Sequence, residues 1–366
     1  MATFVLMAGG TGGHLFPAMA LAQEFGRRGH VVHLATDERV RSYGKDFPAK
    51  KVHIIPAATP SLSNPIKFVG ASFTILKGIG VAWGALRDID PDAVVAFGGY
   101  PCFPPFLAAS LMGIPGVLHE QNAVLGRANR ALARFANALA LHFDKTLHAE
   151  KFSGLREVTG NPVRDRVIAA SGRTYPDLSD EGPIELLVFG GSQGARALSD
   201  LVPPAIAPLP EILRRRVRVT QQCREEDLER VTAIYRDAHV NVQLATFFDD
   251  LPERMAGSHL VISRSGASTV AELGVIGRPA ILIPLPGSLD QDQRANATLF
   301  EQGGGGWLAD QANLSPQSLA SRLVELLAEP KTLINAADHA AQMGFPDAVK
   351  RLADLVERVA EAGERK

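Results

Sequence analysis

The sequence predicts an α/β protein of two similar domains whose parallel sheets face one another, and three observations lead there. Short apolar runs are each followed by glycines and then by a helical pattern, the alternation of buried strand and crossover helix. At 366 residues the chain is longer than a single hydrophobic core usually grows. The runs also fall into two sets, on either side of TGNPVRDRV at residues 159–167, where Gly160, Asn161 and Pro162 make a linker.

Taken in order, the first run is TFVLMA (3–8), followed by the turn Gly9, Gly10, Thr11, Gly12 and Gly13 and by Pro17, which suits the first turn of a helix. VVHLAT (31–36) and AVVAFGG (93–99) complete the first set. IELLVFGG (184–191), VRVTQQ (217–222), HLVISRSG (259–266) and AILIPL (280–285) form the second. Such uninterrupted apolar stretches belong to strands covered on both faces. Near the end, DAVKRLADLVERVAEAG carries Val349, Leu352, Leu355 and Val359 at helical spacing, an amphipathic helix that fits against either domain.

Composition narrows the function classes. A formal charge of −1 with 46% hydrophobic residues gives no global field for holding nucleic acid, so no nucleic-acid partner is expected. Cys102 and Cys223 lie far apart and match no metal-ligand spacing, which favours a reducing compartment, no disulfide framework and no metal site. The cytoplasm is the simple expectation. The start MATFVLMAGG lacks a basic n-region and reads as a buried strand, not a signal peptide. No uninterrupted run of roughly 18 apolar residues occurs, so no membrane crossing is expected.

The glycine turns carry the chemistry. Without a Cβ, the turn at 9–13 lets backbone N–H groups approach a ligand at a helix start, although a turn of this kind also serves plain strand–helix packing. A dinucleotide fingerprint wants glycine where Leu15 stands; Asp37 after the second strand keeps a nicotinamide enzyme as the rival reading. No Gly-Lys-Ser/Thr occurs, which argues against a P-loop nucleotidase. FGGYPCFPP (97–105), FGGSQGAR (189–196) and SRSGAST (263–269) repeat the theme at strand ends in both domains, which points to a cleft between them.

GGTGGH, GGYP, HEQN (119–122), GNPVR (160–164), GGSQGAR and SGASTVAEL, in this order and spacing, resemble the MurG family of bacterial glycosyltransferases. The resemblance implies a GT-B fold, two Rossmann-like domains around a deep cleft. It implies an acceptor- and membrane-binding domain over 1–161, a UDP-N-acetylglucosamine-binding domain over 162–344, and a C-terminal helix, about 345–366, that packs back on the first. The implied reaction is a metal-independent, cofactor-free inverting transfer of N-acetylglucosamine (GlcNAc) from UDP-GlcNAc to the C4 hydroxyl of N-acetylmuramic acid (MurNAc) in lipid I, forming the β-1,4 linkage of lipid II. The implied partners are UDP-GlcNAc, lipid I, an anionic membrane surface and other cell-wall synthesis proteins. The implied location is the cytoplasmic face of the bacterial plasma membrane, as a peripheral protein. A UDP-sugar-binding protein without catalysis is the alternative from another class.

Site residues follow from these motifs. The N–H groups around Ser192, with Gln193 and Gly194, suit a diphosphate that gains charge as it leaves, and Arg164 adds a cation there. The resemblance assigns Glu272 to both ribose hydroxyls, the alternative being a charge that complements the helix start. It assigns Phe248 to uracil through its backbone, and Gln293 with Asn122 from the other domain to GlcNAc, helped by backbone around Ala267, Ser268 and Thr269. Asp292 stands where relatives carry histidine, and Cys102 where serine is common, so neither is expected to repeat those contacts. Thr11, Gly12 and Gly13 hold donor or acceptor phosphate, with Gly10, Gly99 and Tyr100 on the acceptor side. For the base, an imidazole titrating near neutrality suits the attacking hydroxyl. His14 leads; His119 and Glu120 are the other candidates, or else orient the acceptor or order the HEQN loop.

The lipid acceptor demands a membrane contact. From Phe47 to Arg87 there is no Asp or Glu, whereas Lys50, Lys51, Lys67, Lys77 and Arg87 are interleaved with apolar residues. Ile66, Val69, Phe73, Leu76 and Trp83 recur at helical spacing, as in an apolar face lying at a headgroup boundary with lysines alongside. The alternative is that this face is buried in its own domain. Phe68, Ile75 and Ile79 lie off the stripe, so one face suits core and the other lipid.

Overall fold

The structure is a computed structural model that describes every residue except 10–11, 43–46, 60–64, 180, 192–193 and 365–366; at 41–42, 65–67 and 364 it describes backbone alone. The chain divides into two compact units, Met1–Arg164 with Phe345–Lys366, and Asp165–Gly344. The first unit therefore runs three residues past the expected end at 161. Asn161, Pro162 and Val163 are buried, whereas Asp165 opens the first helix of the second unit.

The first unit contains β1 (Thr3–Met7), α1 (Gly12–Arg27), β2 (Val31–Thr36), β3 (Lys51–Ile54), α2 (Pro65–Ile89), β4 (Ala93–Ala96), α3 (Phe103–Leu111), β5 (Gly116–Glu120), α4 (Arg127–Leu132), β6 (Ala138–Leu141) and β7 (Leu155–Val158). Its seven strands are parallel in the order β3-β2-β1-β4-β5-β6-β7. The strand β1 is apolar on both faces because both are covered. Phe4 and Leu6 meet Leu15, Leu21 and Phe25 of α1, while Val5 and Met7 pack in the core that includes Ala82 and Leu86 of α2 and Phe106 of α3. Pro17 stands inside α1, five residues after its start, and not in its first turn as expected, because the helix begins within the glycine turn itself.

In the second unit follow α5 (Asp165–Ser171), β8 (Ile184–Phe189), α6 (Arg196–Ile206), α7 (Glu211–Arg216), β9 (Val217–Gln222), α8 (Leu228–Asp237), β10 (Asn241–Ala245), α9 (Leu251–Ala256) and β11 (Leu260–Ser263). The unit is completed by α10 (Ala267–Ile276), β12 (Ala280–Leu282), α11 (Asp292–Gln302), β13 (Gly306–Leu308), α12 (Pro316–Leu327) and α13 (Pro330–Gln342). Its six parallel strands run β10-β9-β8-β11-β12-β13, the same winding as in the first unit. Arg278, buried at 2% exposure, donates to the carbonyls of Thr174, Ile276 and Gly277 and to that of Ala256. Carbonyl dipoles thus stand in for a carboxylate around this desolvated cation.

The chain then returns to the first unit as α14 (Ala348–Glu364). Leu352, Leu355, Val356 and Val359 enter the core with α1, and Arg28 pairs with Asp354 at 2.6 Å and Glu357 at 2.8 Å. This settles the face of the terminal helix, which the sequence left open between the two domains.

One helix departs from expectation. Phe68–Ile89 is long and apolar enough to cross a membrane, by length and composition alone, although the apolar runs predicted no such segment. Gly, Ser and Thr break the apolar run but scarcely lower its average hydropathy. The helix is nevertheless tied to the sheet by Ala82 and Leu86, which are buried in the core shared with β1 and β4, while Phe73, Leu76 and Trp83 are 70%, 66% and 41% exposed.

If α14 is structurally part of the first unit, Leu352→Ala should cost about 2–5 kcal/mol in urea unfolding, the usual loss at a fully buried leucine. A loss below about 1 kcal/mol would mean that the helix adds little to that core.

Candidate active site

In both sheets the first strand of the unit lies between the second and the fourth, so the winding reverses beside it. Ligands of doubly wound sheets bind beyond the carboxyl ends of strands at such a reversal. The glycine turns lie there: in the first unit after β1 and β4, in the second after β8 and β11.

In the first unit, His14 occupies the opening turn of α1, half-buried. Gly98 and Gly99, with φ of 92° and 81°, follow β4 and lie against its ring. A Cβ at Gly98 would stand 3.4 Å from His14 Cε1, and one at Gly99 3.3 Å from Cδ2. The glycines of GGYP thus admit an imidazole. Cys102, fully buried, ties this turn down: its thiol donates toward Gly98 O (2.9 Å) and Met7 O (3.2 Å). Burial pushes that thiol up to about 12, so it is an inert thiol. Tyr100 donates to Asp37 Oδ2 at 3.2 Å, with the Arg39 guanidinium over its ring. That contact commits the carboxylate which a nicotinamide reading would assign to ribose.

The HEQN segment closes β5. His119 is fully buried, its Nε2 3.0 Å from Gly160 O, and burial holds its pKa down to about 4. Glu120 is buried too and accepts from the backbone N–H groups of Asn122 (3.0 Å) and Gly126 (2.8 Å) and from the Asn129 (2.9 Å) and Asn122 (3.2 Å) amides. Burial raises its pKa and these donors oppose that rise. Both groups face inward, which fits the loop-ordering role left open for them. The Asn122 side chain is engaged with Glu120 in this loop. Gln121 Oε1 lies 3.3 Å from His14 Nδ1, so the HEQN strand end reaches the GGTGGH helix start. Arg164 lies in the first unit, its guanidinium 4.9 Å over the Phe16 ring of α1.

In the second unit the turn after β8 makes its own close approach: a Cβ at Gly190 would fall 2.3 Å from Ala195 N. Gln222 at the end of β9 accepts from Gly190 N (3.1 Å) and donates to Thr246 O (3.2 Å), joining this turn to the loop that carries Phe248. Phe248 is buried at 8% exposure, with the Arg254 guanidinium 4.4 Å over its ring. After β11, Gly266 precedes α10 without a side-chain cap, which leaves the N–H groups of Ala267, Ser268 and Thr269 without an intrahelical partner among the described residues. The Ser268 hydroxyl is buried and unpaired among the described residues.

The α11 segment is braced against this helix start. Ser265 Oγ donates to Gln293 O (2.8 Å), Asn296 Nδ2 to Ser265 O (3.0 Å), and the buried Arg264 to Ile283 O and Pro284 O (both 3.0 Å). Gln293 Oε1 accepts from Leu285 N (3.0 Å), while Asp292 accepts from Gln293 N (2.7 Å). Glu272, 7% exposed, is the sixth residue of α10. Gly12 and Gly13 open α1; Gly10, Thr11 and Ser192, and the side chains of Ile66 and Lys67, lie outside the described residues. Sequence reasoning missed Gln121, Asn129, Gln222, Arg264 and Asn296. Gln121, Gln222 and Arg264 lay within quoted stretches, whose type and spacing did not reveal their partners; Asn129 and Asn296 carried no local signal.

Residues 4–141 match the Glycosyltransferase family 28 N-terminal domain, and residues 185–352 the Glycosyltransferase family 28 C-terminal domain. The chain is 52% identical over 360 residues to the UDP-N-acetylglucosamine–N-acetylmuramyl-(pentapeptide) pyrophosphoryl-undecaprenol N-acetylglucosamine transferase of Methylobacterium sp. (strain 4-46), covering 98% of this chain and 97% of that protein. The protein of that name from Allorhizobium ampelinum is 48% identical over 357 residues, with 98% and 95% covered. Among solved structures, Acinetobacter baumannii MurG is similar with a TM-score of 0.80 at 31% identity, covering 97% of this chain and 99% of that one. A UDP-GlcNAc 2-epimerase from Neisseria meningitidis, TM-score 0.68 at 16% identity over 97% of this chain and 100% of that one, shares the fold alone.

Proposed function

The chain belongs to glycosyltransferase family 28 and to its MurG members, and on that premise we propose how its residues carry out the reaction. It is an inverting GlcNAc transferase of GT-B fold, moving GlcNAc from UDP-GlcNAc to the C4 hydroxyl of MurNAc in lipid I to form lipid II in peptidoglycan synthesis.

His14 is the general base of this proposal. The supporting observation is its ring, half-buried between the β1 and β4 turns at the winding reversal of the first sheet. As the acceptor oxygen attacks the anomeric carbon, its proton passes to the imidazole, and the electron pair of the breaking C–O bond leaves with UDP. In the second unit, the N–H groups of Ala267, Ser268 and Thr269 at the start of α10 and the turn after β8, including Ser192, receive the donor diphosphate. Arg164 adds a cation. These groups supply positive potential for the leaving charge, so the proposed transfer needs neither metal nor cofactor. Glu272 takes the ribose hydroxyls, Phe248 meets uracil, and Gln293 with Asn122 reads GlcNAc. Gly12, Gly13, Gly99 and Tyr100 line the acceptor side.

The helix α2 is proposed to dock on anionic lipid at the cytoplasmic face of the plasma membrane, as the seat of a peripheral protein. Its two-faced packing supports this: the exposed stripe carries Val69, Phe73, Leu76 and Trp83 with Lys77 exposed among them, and the opposite face is buried in the domain.

His14→Ala should lower kcat by roughly 10²–10⁴-fold in transfer of labelled GlcNAc to a short-chain lipid I analogue, with little change in KM for UDP-GlcNAc. Near-normal kcat would remove His14 from the role. Changing Phe73 and Leu76 together to Asp should release the folded protein from anionic vesicles while transfer to a water-soluble acceptor persists; undiminished vesicle binding would refute the docking face.

A further inference from the structure

Four contacts around His14 fix its protonation pattern, resting on the reading of His14 as base. The Phe97 carbonyl at the end of β4 can only accept, and Gln121 Nε2 lies 2.8 Å from it. That contact decides which end of the Gln121 side chain is the NH₂ group. Its second hydrogen meets His119 Nδ1 at 3.0 Å. His119 Nε2 lies 3.0 Å from Gly160 O, another pure acceptor, so His119 carries its proton on Nε2 and a lone pair on Nδ1. Gln121 thus turns Oε1, an acceptor, toward His14 Nδ1 at 3.3 Å. A neutral His14 must donate from Nδ1 and hold its lone pair on Nε2.

We infer that Gln121 is the positioning residue of the base: anchored on the Phe97 carbonyl and, through His119, on that of Gly160, it holds His14 as the Nδ1–H tautomer and makes Nε2 the proton-accepting atom. Gln121 and His119 are 1% and 0% exposed, so water cannot replace a lost partner and the chain of contacts has one satisfied arrangement. Nε2 lies on the side of the ring beside Gly99, where a Cβ would stand 3.5 Å from it. When Nε2 takes the acceptor proton, the imidazolium keeps its Nδ1–H bond to Oε1. The amide selects the tautomer without placing a fixed charge on the ring, unlike a carboxylate in the same position. Among the described residues, the titratable and charged groups on the surrounding elements include His119 and Glu120 on β5, His142 after β6, Asp37 after β2, Tyr100 and Cys102 after β4, Glu24 and Arg27 farther along α1, and Arg127 and Arg130 on α4.

The test uses the full chain with ¹⁵N-labelled histidine, at a pH above the imidazole titration, with the His14 signals identified by their loss in His14→Ala. The expected result is a protonated Nδ1 and a bare Nε2 on His14. In Gln121→Met the signals should move toward the Nε2-protonated form, and kcat should fall roughly 10–100-fold at unchanged KM for UDP-GlcNAc. Adding Gln121→Met to His14→Ala should slow the enzyme no further. An Nε2–H tautomer in the unaltered protein, or a Gln121→Met enzyme that keeps both tautomer and kcat, would overturn the inference. A fully active His14→Ala enzyme would instead overturn the base assignment, on which the tautomer measurement does not depend.

Discussion

The approach of two strand-end turns to one imidazole is the constraint on which the first unit's site depends. With φ of 92° and 81°, Gly98 and Gly99 pass within van der Waals reach of the His14 ring, and the Cys102 thiol holds the turn to the end of β1. The approach follows from topology. In a parallel sheet every crossover begins at the carboxyl edge, and the reversal of winding beside β1 leaves adjacent turns heading in opposite directions. The second unit repeats the order around β8, where the turn is close enough that only glycine fits at Gly190.

Polar residues divide into those that face the chemistry and those that shape it. His119, Glu120 and Gln121 are adjacent in sequence, yet all are buried and spend their hydrogen bonds on backbone, on one another, on neighbouring amides and, for Gln121, on His14. Burying such groups is costly unless each finds a partner, so a satisfied set permits few alternative geometries. In the second unit Gln222 joins the turns after β8 and β10, Arg264 those after β11 and β12, and Asn296 ties α11 to the turn after β11. Their side chains supply rigidity, and the helix N-termini supply the exposed donors.

Much of the fold was legible because buried parallel strands read as uninterrupted apolar runs; all seven runs coincide with strands. Most of those missed lack that signature; β6, ALAL and buried throughout, has it but is not followed by the glycines that marked most of the other runs. The edge strands β3, β7 and β10 carry exposed or half-exposed residues, and β5 ends in His119 and Glu120, polar types that only the folded protein shows to be buried. The motifs located the turns but not the inner connections. Gln121 finds Phe97 and His14 at separations of 24 and 107 residues, which no local pattern encodes. The apolar stripe of α2 was legible from spacing; which of its faces is covered depended on the packing of Ala82 and Leu86 in the core shared with β4.

The most direct measurement compares two glycine substitutions at positions of positive φ. Gly98→Ala and Gly113→Ala both force alanine to a positive φ, 92° and 78°, but a Cβ at Gly113 meets nothing within 4 Å, whereas at Gly98 it comes to contact distance, 3.4 Å, of the His14 ring. Both should lose about 1–2 kcal/mol of stability. If the turn is there to seat the imidazole, Gly98→Ala alone should lower kcat at unchanged KM for UDP-GlcNAc, severalfold and not the roughly 10²-fold of a displacement of about 1 Å, because the added methyl only reaches contact distance of the ring. Equal kcat in the two folded variants would contradict it.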